Sequence, residues 1–178
     1  MHKSFAVLGA LCALAFTSSA SAATGGDVDL TKSASWSGTG QGLVLPLLLD
    51  QIPAGPLSAS TVACSQVEEC DDTLIHVTET GDFTVEEAGT ADGPPSNPVE
   101  GADLDLYLYN SDASGAVKDL ADYGDQGTTE SASESISVPL IEPGYYVARV
   151  VFYNAVNGSY TAKASLVEHV EDPVDEEE

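Results

Sequence analysis

Apolar and polar residues alternate with a period of two along much of this chain, in short runs cut by turn residues, and that pattern restricts the fold most. Between Asp103 and Tyr109, Leu104, Leu106 and Leu108 point to one side. Asp103, Asp105, Tyr107 and Tyr109 point to the other. Ile136, Val138 and Leu140 share a face in the same way. Ala148, Val150 and Phe152 oppose Arg149, and Tyr160, Ala162, Ala164 and Leu166 form a further set. Thr73 to Glu79 and Phe83 to Glu87 read as strands joined by a turn at Gly81-Asp82. Asn157-Gly158 is the residue pair of a two-residue hairpin, while Glu142-Pro143-Gly144 and Asn110 to Gly115 are turn sequences. Gly89 to Gly101 carries three prolines and reads as a long exposed loop. Helical spacing reaches no further than a short stretch at Val117 to Tyr123. Many short strands with regular turns predict an all-β protein, an antiparallel β-sandwich.

The first 22 residues have another character. His2 and Lys3 give a positive start, Phe5 to Phe16 an apolar stretch, and Ala20-Ser21-Ala22 a small-residue cleavage pattern. Together they predict an export signal cut after Ala22, and hence a secreted or periplasmic protein. The stretch is too short to span a bilayer, and no later segment is apolar for long enough, so no membrane anchor is expected after cleavage. In an oxidising compartment Cys64 and Cys70 are expected to form one short-range disulfide, worth about 2–3 kcal/mol. Residues 23–42 are expected to form an N-terminal edge strand and residues 43–168 the sandwich domain. Residues 169–178 are expected to be an acidic tail without fixed structure.

The formal net charge is −24. Such a field repels nucleic acid and anionic lipid and favours cations or a basic partner. Adaptation of the whole surface to salty surroundings explains the same composition equally well.

One set of phrases goes further. The run from Asp103 to Tyr109, then Glu134-Ser135, then Pro143-Gly144-Tyr145-Tyr146 with Arg149-Val150, then Gly158 to Thr161, resembles the bacterial pre-peptidase C-terminal domain. The resemblance covers roughly residues 43–167 and is firmest from Asp103 onward. It implies a jelly-roll-like sandwich of the kind appended to secreted peptidases or exported alone. No peptidase sequence precedes the domain here, so the role of an appendage does not carry over directly.

Asp103 and Asp105 are the leading candidates for chemistry. At i and i+2 on a strand their carboxylates share a face and repel unless a cation relieves them. Calcium, which takes six to eight oxygens, suits that need. Asp71 and Asp72, just after the cysteine pair, are the expected additional ligands. The competing reading is a solvated strand face paired with Arg149. Asn110 to Gly115 imitates the first half of an EF-hand loop, but Ala121 stands where the closing glutamate belongs, so a hairpin loop is expected. Catalytic motifs are missing: there is no G-x-S-x-G or H-E-x-x-H, and His76 reads as a strand histidine.

Tyr107 and Tyr109, with Trp36, Tyr145 and Tyr153, offer a stacking face for glycan or peptide, or else they cap the core. The sequence therefore predicts a secreted, non-catalytic binding or accessory module, calcium-stabilised, that contacts an extracellular protein or polysaccharide. A glycan- or matrix-binding module using the tyrosine face is the alternative. A small hydrolase using acidic residues is the remaining one.

Overall fold

A computed structural model describes residues 23–43, 70–92, 103–121 and 131–170. The leader, Cys64, most of the proline-rich segment and the last eight residues lie outside them. The strands are β1 (Ala23–Val28), β2 (Ala34–Leu43), β3 (Cys70–Val77), β4 (Gly81–Asp92), β5 (Asp103–Ser111), β6 (Val117–Leu120), β7 (Ser133–Ile141) and β8 (Gly144–Val167). The described residues contain no helix, and so none long and apolar enough to cross a membrane.

One long strand organises all the others. Over Gly144–Asn154, β8 is flanked by β3 and β5; beyond Asn154 it is flanked by β2 and β4. The first half thus lies in a layer ordered β1-β3-β8-β5-β6, and the second half in a layer ordered β2-β8-β4-β7. All of these pairings are antiparallel except β1 with β3. Residues 23–43 therefore supply an edge strand to each layer.

The hairpin expected at Asn157-Gly158 is not formed, because the two halves of β8 do not pair with each other. The type I′ turn that Asn-Gly favours needs a left-handed backbone at both central positions; Asn157 adopts it, with φ 52°, and Gly158 does not. The outcome is a bend that carries the strand from one layer to the other, a device typical of sandwich corners. Gly158 and its ladder partner Gly40 leave the slot that Phe152 fills, since a Cβ on either glycine would collide with that ring.

The main core lies between the layers. Leu104, Leu106, Leu108, Val150 and Phe152 meet Phe83, Val85, Ile136, Tyr160 and Ala164 there. The periodicity of the sequence located these residues correctly. Three local expectations differ. Val117–Leu120 is a strand because it pairs with β5, and β4 runs on to Asp92 because β8 offers it a partner that far. Leu140, expected beside Val138, leaves the core face: β7 bulges at Pro139-Leu140, and Ile141 takes the buried position instead.

Candidate functional site

The carboxylates singled out from sequence fall into separate surroundings. Asp103 and Asp105 do share a face of β5, and Asp105 accepts a hydrogen bond from the Tyr107 hydroxyl at 3.1 Å. Burial pushes the Asp105 carboxyl up to about 6; the Tyr107 hydroxyl opposes the rise, and the charges of Asp103 and Glu134 add to it.

Asp72 faces the same side of the layer but belongs to Arg149. The guanidinium donates from Nε to Oδ1 at 2.7 Å and from its second terminal nitrogen to Oδ2 at 2.9 Å. Both side chains are buried, and the Arg149 cation also lies 5.1 Å from the centre of the Tyr109 ring. Burial alone would lower the Arg149 pKa; the hydrogen bonds and charge of Asp72 outweigh it and raise the value further.

Asp71, one residue earlier, points the opposite way, toward the core. It receives the Tyr160 hydroxyl at 2.8 Å and so ties the two layers together. Among the described residues no three histidine, cysteine or acidic side chains are placed to hold a metal ion together. The expected calcium set of Asp103, Asp105, Asp71 and Asp72 is thus divided between two faces, with Asp72 engaged by an arginine.

The tyrosine face needs a correction. Tyr107 and Tyr109 are buried, at 7% and 0% exposure, in a second apolar cluster with Cys70, Val147 and Val151. They lie on the side of the layer that alternation predicts, but that side is covered, so they offer no open stacking surface. The expected partner of Cys70 lies outside the described residues. The Asn110–Gly115 turn behaves as expected: the Asp112 carboxylate accepts the Ser114 hydroxyl and the N–H groups of Ser114 and Ala116, holding the hairpin loop closed. His76 is a strand histidine with one ring nitrogen 3.1 Å from Asp27, and its ring stacks on Tyr145.

A different place breaks the local rules. In the β4–β7 ladder, Gly81 pairs with Ile141 and Phe83 with Val138, which leaves Asp82 opposite both Pro139 and Leu140. Leu140 takes up the extra length with φ 52°. Glycine usually fills the left-handed position of such a bulge, and a residue with a Cβ costs about 1–2 kcal/mol there. The strain does not deliver the side chain to the core: Leu140 is 49% exposed.

Asp82 holds the conformation. Its Oδ1 accepts the Leu140 N–H at 3.1 Å and lies 2.7 Å from His169 Nδ1. The His169 hydrogen bond, and then the Leu140 N–H, keep the Asp82 carboxyl below the usual range. Val167, the ladder partner of Asp82, is exposed, as is Val170 beside His169. Exposed Leu30 belongs to the same end, because its N–H bonds Glu79 in the turn that precedes β4. Asp29, Glu142 and Glu168 stand within two residues of Leu30, Leu140 and Val167 in the chain, and Glu79 and Asp82 accept the Leu30 and Leu140 N–H groups, while Lys32 pairs with Asp27 at 3.6 Å.

Alternation hid this site, because it assigned Leu140 to the core. The available signal was the pair Leu140-Ile141 directly after a proline: two adjacent apolar residues cannot both face inward from a regular strand.

No family model and no curated protein matches the chain. Among solved structures it is similar to the pre-peptidase C-terminal domain of a collagenase from Bacillus anthracis. That match has 11% identity and a TM-score of 0.47, covering 81% of this chain and 96% of that one. It is also similar to PliG of Aeromonas hydrophila, a periplasmic inhibitor of g-type lysozyme. Here identity is 10% and the TM-score 0.38, covering 82% of this chain and 97% of that one. The family read from the sequence is therefore represented among these structures, but matches this distant do not assign the chain to it.

Proposed function

We propose that this protein is a non-catalytic binding module that works outside the cytoplasm. Its docking surface is the end of the sandwich around Leu140, and its partner is a protein segment with apolar residues between basic ones. The observation that carries this reading is Leu140 itself. A strained backbone is kept by the Asp82 hydrogen bond, yet the leucine it supports is half exposed and stands outside the buried core. Exposed Val167, Val170 and Leu30 extend the apolar area, and the acidic rim selects for positive charge. A second copy of this chain is a poor occupant, because two acidic rims would repel. The leader sequence supports export, and the burial of Tyr107 and Tyr109 disfavours the glycan reading.

The test is an NMR titration with three amphipathic peptides that share the same leucines and differ in carrying lysine, serine or glutamate between them. The reading expects amide shifts at Leu140, Val167 and Val170 with the lysine peptide, strongly reduced in Leu140→Gly. Equal responses to all three peptides, or shifts confined to other parts of the molecule, would count against it.

A further inference from the structure

Away from the Leu140 end, β4 and β7 bury two acids against each other. Glu87 continues the inward row of Phe83 and Val85, and its direct ladder partner is Glu134 of β7. They are only 3% and 6% exposed. Neither carboxylate oxygen of Glu87 meets a hydrogen-bond partner within bonding geometry among the described residues. Gly89 makes the arrangement possible: a Cβ there would run into Glu87 Oε1, the Ala132 carbonyl oxygen and Leu104, each at 2.8 Å.

Among the described residues no cation bonds Glu87. From β8 the ladder partner of Glu87 is Ala162, and Lys163 lies opposite Glu86 on the outward side. From β5, the charges of Asp105 and Glu134 act on each other, and Asp103 adds to the negative charge there. Two full charges cannot be buried so close together without neutralisation, and a buried acid in such surroundings takes up a proton. Burial pushes the Glu87 carboxyl up to about 7; the Glu134 N–H opposes the rise and the Glu134 charge adds to it. No three side chains of metal-binding type converge among the described residues, which favours a proton over a metal ion as the neutralising species.

We propose that the Glu87–Glu134 pair is a pH-sensitive clasp: it carries one charge in the folded protein, and losing the retained proton loosens the β4–β7 ladder at its Ser133 end. Acidic surroundings hold that margin of the sheet shut and alkaline surroundings release it.

Hydrogen exchange, corrected for intrinsic rates, reads this directly at the amides of residues 86–90 and 131–135. Protection in the wild type should fall about tenfold or more between about pH 5 and pH 8, and stay level in Glu87→Gln. Infrared spectra of the unsubstituted protein provide a second readout that does not depend on the variant folding. They should show a protonated-carboxyl band that disappears over the same interval and that persists in Asp105→Asn, which removes the other raised acid. The same loss of protection in both proteins would overturn the proposal, and so would a wild type without that band. A pH response removed by added calcium and restored by chelator would overturn it too, making the neutralising species a metal ion.

Discussion

Asp82 and Glu87 lie on the same strand, one at the mouth of the Leu140 bulge and the other in the wall of the core, and their surroundings drive them in opposite directions. Asp82 has an imidazole and a backbone N–H, and its carboxyl is held below the usual range. Glu87 has no imidazole, and the Glu134 N–H beside it does not offset burial; it faces another acid, and its carboxyl is pushed up to about 7. Residue type and strand are almost the same, so the difference comes from donors and solvent. The first carboxylate is a fixed anion that shapes a surface. The second is a proton carrier inside a sheet. Asp72 gives the third outcome, a buried carboxylate bonded to a buried guanidinium, that of Arg149.

The largest effect is expected at that third carboxylate. Arg149→Ala leaves Asp72 as an uncompensated buried charge, a loss of about 3–5 kcal/mol. Denaturant unfolding measures it, and Arg149→Ala together with Asp72→Ala should recover part of the loss. If the single variant unfolds like the wild type, the contrast between a cation-paired and a proton-paired acid fails.

Next comes Glu87→Gln. Since the folded form keeps a proton that the unfolded chain releases near the ordinary glutamate pKa, the contribution of Glu87 to wild-type stability is greatest below about pH 4.5. It falls as the pH rises to about 7 and is level above that. Removing the titrating group should therefore gain on the order of 3 kcal/mol at neutral pH and much less in acid. Unfolding midpoints compared at about pH 4.5 and about pH 7.5 check the sign. An advantage of Gln that is independent of pH would point to packing instead.

Much of this molecule is legible in its sequence, and the exceptions share a cause. Alternation places Leu104, Leu106, Leu108, Ile136 and Val150 correctly, because a strand leaves a side chain only two directions. It also places Tyr107 and Tyr109 on the right side, but it cannot reveal that the side is covered. Leu140 and Asn157 are missed for another reason: each adopts a left-handed backbone at one residue, which breaks the period of two, and the local signals there, Leu140-Ile141 after a proline and Asn157-Gly158, do not by themselves say which way the strand turns. The strand pattern offers Arg149 as a partner for Asp103 and Asp105; its pairing with Asp72 is set by the β3–β8 register, a long-range pairing that no local pattern encodes.

A smaller effect concerns calcium. With Asp72 engaged by Arg149 and Asp71 turned toward Tyr160, thermal unfolding should move by less than a degree or so between calcium and chelator. A calcium-specific rise that Asp105→Ala abolishes would give the acids of β5 the ion-binding role that Asp72 lacks.

The role of the Leu140 bulge can be tested by stability alone. If its strain is maintained for docking and not for folding, the urea midpoint of Leu140→Gly should equal or exceed that of the wild type. Relief of the left-handed leucine, set against the freer unfolded chain, leaves a net gain of about 0–1 kcal/mol. A midpoint lowered by an amount typical of a lost core leucine, about 2 kcal/mol or more, would show that Leu140 serves the fold and contradict the docking surface.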